Sequence, residues 1–130
     1  WNVVELTPME SDFVAIGAGG GHGLAIRSNG TLAAWGLDWD NQVSDKPSDA
    51  DFIASAAGEA GYFSCVLRTD GSIATWGADD HGQVSDTPVG LGFTALATGR
   101  YHGIALTPEP ATMAMLGVGA LAVVRRRRMR

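Results

Sequence analysis

GLAIRSNGTLAAWG at residues 23–36 and SCVLRTDGSIATWG at residues 64–77 decide the fold. Each is a pair of apolar runs around a turn dipeptide, Asn29-Gly30 in one and Asp70-Gly71 in the other. Leu24 and Ile26, then Leu32 and Ala34, alternate with small or polar residues, which is the period of a strand. Asn-Gly and Asp-Gly accept positive φ at both central positions, so the pattern predicts two β-hairpins closed by type I′ turns.

The similarity runs beyond the hairpins. Residues 13–51 and 52–92 align as two copies of one unit, with Trp35 and Trp76 in the same place and QVSD following each. A third copy opens at Phe93 and stops at Thr107. His22 and His102 share a position that Phe63 takes in the middle copy. Val4, Pro8 and Phe13 match Val43, Pro47 and Phe52, so residues 1–12 read as the end of an earlier copy, or as an irregular extension matching at three positions. The first reading implies a longer natural protein, consistent with a start at Trp1 and no N-terminal secretory segment. A further strand fits VAIGA, IASAA and TALAT, whose continuous small apolar character predicts burial on both faces. A short fourth strand is expected at residues 42–44 and 83–85. Up to four short strands per ~41 residues is the size of a β-propeller blade.

Composition agrees. Eighteen glycines suit many tight turns and not a helical protein. The single cysteine, Cys65, excludes an intrachain disulfide and reads as a small buried hydrophobe. Net charge is −5, but residues 1–124 carry four basic side chains against fourteen acidic ones, a net −10. A body this acidic repels phosphate backbones, so no nucleic-acid partner is expected.

These features together resemble the bacterial branch of the regulator of chromosome condensation repeat family. Its unit runs from an apolar strand through AAG, His, a small-apolar strand, a DG turn and a strand ending WG to an acidic loop ending GQ. AIGAGGGHGLAIRSNGTLAAWG with LDWDNQ, and SAAGEAGYFSCVLRTDGSIATWG with ADDHGQ, follow that order over about residues 1–107. Phe63 in place of His and Asn41 in place of Gly are departures. The resemblance implies an all-β fold, a seven-bladed propeller, of which two complete and two partial repeats are present. An arc this short leaves raw edges, because each repeat buries its face on a neighbour. The third copy breaks where its hairpin turn belongs, and in a closed ring the N-terminal part of the chain would supply the missing strands.

The chain ends in TPEPATMAMLGVGALAVVRRRRMR. Residues 111–124 are apolar apart from one threonine and, as a helix, would span about 21 Å, short of a bilayer core of about 30 Å. Five arginines in the last six residues cannot follow that segment into a core. Pro108 and Pro110 keep the preceding motif extended. Pro108, Glu109 and Pro110, the apolar segment, and Arg125, Arg126, Arg127 and Arg128 resemble, in order, the PEP-CTERM sorting signal of Gram-negative envelope proteins. Residues 108–130 thus form a sorting signal behind a repeat region at 1–107. The resemblance implies an exosortase as processing partner and transient anchoring in the inner membrane through the terminal helix. Positive charge stays in the cytoplasm, so the repeats face outward.

No nucleophile, base and orienting group recur in a recognisable spacing, so no catalytic residue, cofactor or metal is assigned. The loops DWDNQVSD and ADDHGQVSD lack the spacing of a calcium loop. His22 and His102 read as framework residues, and His81 as a solvated one. Asp38, Trp39, Asp40, Asp79 and Asp80 are the candidate partner surface, with Trp39 as its anchor. The expected function is an exported, non-catalytic binding or scaffold protein of the cell envelope or biofilm matrix, taking a protein or exopolysaccharide. The alternative is an accessory or inhibitory domain of a secreted hydrolase. Nucleotide exchange on a small GTPase fits poorly with export.

Overall fold

The structure, a computed structural model, describes residues 8–107. The sorting signal, its apolar segment and residues 1–7 lie outside the described residues. Eight strands form three antiparallel sheets: β1 (Phe13–Ala18), β2 (His22–Arg27) and β3 (Leu32–Gly36); β4 (Phe52–Ala57), β5 (Phe63–Arg68) and β6 (Ile73–Gly77); and β7 (Ala95–Thr98) with β8 (Gly103–Leu106). The first two sheets are three-stranded meanders and the third is a two-stranded antiparallel pair, one sheet per copy, and β1, β4 and β7 lie side by side across them.

The hairpins form, but their turns differ from the expected type. Residues 28–30 and 69–71 make three-residue loops. The amide of Gly30 donates to the Arg27 carbonyl at 2.8 Å and that of Arg27 to the Thr31 carbonyl at 2.9 Å. Only the glycine adopts positive φ, +84° at Gly30 and +81° at Gly71; Asn29 and Asp70 do not. The physical reason is side-chain competition. Asn29 Oδ1 accepts the Thr31 amide at 3.0 Å and Asp70 Oδ1 accepts the Ser72 amide at 2.8 Å, bonds that favour a type I turn followed by a left-handed glycine. Each glycine also carries the next blade. Gly30 and Gly71 accept the amides of Phe52 and Phe93 at 3.2 and 3.0 Å, and a Cβ at either glycine would strike that passing backbone.

The expected fourth strand is absent: residues 42–45 and 83–86 are turns. Asp38 Oδ1 accepts the amides of Val43 and Ser44 at 2.8 and 2.9 Å, and Asp79 Oδ1 accepts those of Val84 and Ser85 at 2.8 Å each. Amides turned towards one carboxylate cannot also join a ladder. Asn41, at φ +59°, sits where the second blade has Gly82 at +76°; asparagine is among the few non-glycine residues that visit this region readily.

Burial of the first strand on both faces is also corrected. β1 alternates between half-buried and exposed. Val14 and Ile53 fall at register shifts, where a bulge residue leaves the ladder and turns outward. Ile16 is 79% exposed because no described blade covers its face, whereas Ser55 and Leu96, at the same repeat position, are half-buried.

The core lies between blades. Leu24, Ile26 and Leu32 of the first sheet pack with Phe52, Ala57, Val66 and Trp76 of the second. Trp76 wedges into this seam and donates its indole Nε1–H to the Gln42 carbonyl at 2.8 Å. Trp76→Ala should therefore lower the unfolding free energy by about 3–5 kcal/mol. Trp39→Ala, which loses an edge contact with Tyr62 at a largely exposed site, should cost less, about 0.5–1.5 kcal/mol. Urea titration of both variants checks the contrast.

Candidate partner-binding rim

All β1–β2 and β3–β4 type connections leave the same end of the sheets, because antiparallel pairing brings the start of β2 beside the end of β3. The amide of Leu37 donates to the Gly21 carbonyl at 2.7 Å, and Ala78 to the Tyr62 carbonyl at 3.1 Å, tying the two connections together in each blade. The hairpin turns occupy the opposite end. The rim so formed carries every candidate surface residue.

Those residues do different things. Asp38 and Asp79 face into their own loops. Burial raises the Asp38 carboxyl, but the amides of Ser44 and Val43 outweigh it and hold the group below its usual range; at Asp79 the amides of Ser85 and Val84 do the same. Gln42 is wholly buried and its Oε1 accepts the Asp40 amide at 2.9 Å; Gln83 repeats this with the His81 amide at 2.8 Å. Trp39 stands 70% exposed above this scaffold.

Aromatic rings cross the blade junctions along the rim. Trp39 of the first blade meets Tyr62 of the second edge-on, with centroids 6.1 Å apart. His81 of the second stacks on Tyr101 of the third at 4.3 Å, and the Arg100 guanidinium lies 5.1 Å from the same tyrosine ring. Tyr62, Tyr101 and Gln42 escaped the sequence reading. The signal was present: the tyrosines share one repeat position and immediately precede Phe63 and His102, and the glutamine recurs before each VSD.

Beneath the rim, His22 Nε2 lies 3.1 Å from Ser64 Oγ, which donates to the Gln42 carbonyl at 3.0 Å. A serine–histidine contact invites a catalytic reading, but Ser64 is 0% exposed and its proton is committed to a carbonyl. The pair joins two blades. Glycine makes room for the ring at this position throughout: Gly19 against His22, Gly58 against Phe63, Gly99 against His102. Cys65 is buried and its thiol is pushed up to about 12, so it is no nucleophile at neutral pH. Among the described residues, no group of three His, Cys, Asp or Glu side chains could hold a metal ion, and no helix is long and apolar enough to cross a membrane.

Comparison with known families gives two matches: the regulator of chromosome condensation (RCC1) repeat over residues 56–83 and the PEP-CTERM protein-sorting motif over residues 106–128. The chain carries an RCC1 repeat and a PEP-CTERM sorting motif. Similar solved structures include the CRINKLY WD40 ectodomain of the Arabidopsis thaliana receptor kinase ACR4, with 26% identity, a TM-score of 0.66, and coverage of 81% of this chain and 36% of that one. Prp20p of Saccharomyces cerevisiae shares 21% identity at a TM-score of 0.63, over 79% of this chain and 31% of that one. The ectodomain of the Physcomitrella patens receptor kinase CR4 shares 24% at 0.61, over 80% and 30%. This chain spans about a third of the length of each. No curated protein matches it. The RCC1-type blades give a propeller-like all-β fold, and the PEP-CTERM motif implies export and processing by an exosortase.

The His22 contact has a pH signature. Burial holds the imidazole below its usual range, against opposing contributions from the Phe63 backbone and the Asp38 carboxylate. A histidine whose folded pKa is depressed binds its proton more readily when unfolded. Its contribution is whole above the ordinary value of 6.5 and is lost as pH falls below it. The urea midpoint should therefore fall between pH 7.5 and 5.5, and His22→Phe, which copies the second blade, should flatten that dependence.

Proposed function

We propose that the protein is an exported, non-catalytic binding protein of a Gram-negative cell envelope or extracellular matrix. Residues 1–107 form the binding body and residues 108–130 the signal that an exosortase removes. Before processing, the terminal segment anchors the body at the inner membrane, with the blades outside. The rim takes a protein or exopolysaccharide ligand, through Trp39 with Asp40 and Asp80 beside the aromatic pairs. One observation carries this reading: the rings of Trp39 and Tyr62, and of His81 and Tyr101, bridge successive blades on one rim.

That arrangement supports recognition of an extended ligand. Aromatic faces contribute large contact areas at low entropic cost, and neighbouring carboxylates can accept hydrogen bonds from hydroxyl or amide groups. Asp38 and Asp79 serve the surface indirectly, holding the loops that present Trp39 and Asp80. Affinity electrophoresis through gels containing the host's exopolysaccharide, or its secreted protein fraction, tests the site. Retardation of the protein should drop at least about tenfold in apparent affinity on Trp39→Ala. Equal retardation of the variant would show that the rim is not the binding surface.

A further inference from the structure

The chain leaves the blades at a defined end. In the pairing of β7 with β8, Gly103 stands opposite Thr98 and Leu106 opposite Ala95. The Leu106 carbonyl accepts the Thr94 amide at 2.8 Å, and the neighbouring Phe93 amide donates to the Gly71 carbonyl, in the hairpin turn of the second blade, at 3.0 Å. Leu106 therefore lies at the turn end of the sheets, opposite the rim. Residues 107–110 alone separate it from the apolar segment that opens at residue 111. Those four residues reach at most about 14 Å, whatever path they take. A blade is longer than that: the six residues of β2 span about 20 Å.

The surface beside this exit is apolar. Val89 is 99% exposed and Leu91 71%. The Gly92 amide donates to the Asp70 carbonyl at 3.1 Å, which fixes this stretch beside the turn. One repeat earlier the same stretch is Ser48-Asp49-Ala50-Asp51, whose two carboxylates reach Arg68 at 3.0 and 3.6 Å. It is thus polar between the first two blades and becomes Val89-Gly90-Leu91-Gly92 next to the exit. Its exposure comes with the repeat, because residues 48–50 are exposed as well, with a three-stranded sheet on either side of them. The rim, at the far end, carries Asp40, Glu59 and Asp80 in its loops.

We infer that the turn end is the lipid-facing side of the anchored precursor: Val89 and Leu91 rest in the headgroup region of the bilayer, and the rim points away from it. This inference rests on the membrane anchoring proposed above. The tether excludes the reverse orientation. With the rim against the headgroups, Leu106 would stand about 20 Å above them on a connection of at most about 14 Å. The two apolar side chains decide between an upright body and one lying on its side. Upright, both leave water for the interface; on its side, the body keeps them hydrated. The candidate binding rim is therefore presented outward while the chain is still anchored.

The test uses the whole 130-residue chain in vesicles of phosphatidylethanolamine and phosphatidylglycerol that carry a nitroxide on a fraction of the headgroups. Bimane is attached through Ser28→Cys or Thr69→Cys at the turn end, and through Glu59→Cys or Asp80→Cys at the rim, all exposed positions. Cys65 is buried and does not compete for the label. Quenching should be at least about twofold stronger at residues 28 and 69 than at 59 and 80, which stand about 20 Å further out. Val89→Asp with Leu91→Asp should lower the quenching at residue 69 about twofold, because two carboxylates resist entry to the interface. Equal quenching at both ends, in a chain that floats with the vesicles, would overturn the orientation and leave the anchoring standing. Unchanged quenching in the double aspartate variant would overturn the lipid contact of Val89 and Leu91. A chain that does not float with the vesicles would overturn the anchoring and this inference with it.

Discussion

The hydrogen bond from the Trp76 indole to the Gln42 carbonyl expresses the constraint on which the structure depends: no blade buries its own face. Trp76 leaves the end of one blade's outer strand and completes the seam with the blade before it. The same carbonyl accepts the Ser64 hydroxyl, which in turn meets His22. Apolar and polar contacts thus converge on one buried backbone oxygen. The turn Asp38 organises holds that oxygen in place, so the loop chemistry and the core are one arrangement. Where a neighbour covers a face, Leu24 and Ile26 are fully buried; where none does, Ile16, Ile104 and Leu106 are open.

Much of this was legible in the sequence because repetition displays register. Identical spacing of Trp35 and Trp76 fixed the strand ends, and the turn dipeptides located the hairpins. Details governed by side-chain competition with the backbone were not legible. QVSD has the composition of a short strand, and only the geometry of Asp38, five and six residues from the amides it binds, makes it a turn. Asn-Gly permits a two-residue turn, yet the Asn29 carboxamide prefers the Thr31 amide. The aromatic rim was half visible. Trp39 stood out as a large residue among acids, but its contact with Tyr62 joins different blades and follows no local period. The bulges that turn Val14 and Ile53 outward carry no sequence mark beyond their place before a run of small residues.

The two ends of the blades divide the labour. At one end the hairpin turns clamp the connections to the next blade through Gly30 and Gly71, and Arg27 and Arg68 lie against Phe13 and Phe52 at 5.4 and 5.2 Å. That end is committed to holding neighbours. At the other end the loops are braced from within by Asp38, Asp79, Gln42 and Gln83, beneath the aromatic pairs that cross the blade junctions. The body at residues 1–124 is strongly acidic, and an acidic surface disfavours phosphate-rich polymers. Arg125, Arg126, Arg127 and Arg128 lie within the PEP-CTERM motif.

We propose that the C-terminal signal delivers this acidic arc of blades outside the cell. Its most direct test is the intact mass of the mature protein recovered from its host, with the exosortase present and deleted. The mature chain should end near Pro108, Glu109 and Pro110 in the first case, and retain the apolar segment and its arginines in the second. A mass that retains Arg125, Arg126, Arg127 and Arg128 in both strains would contradict it.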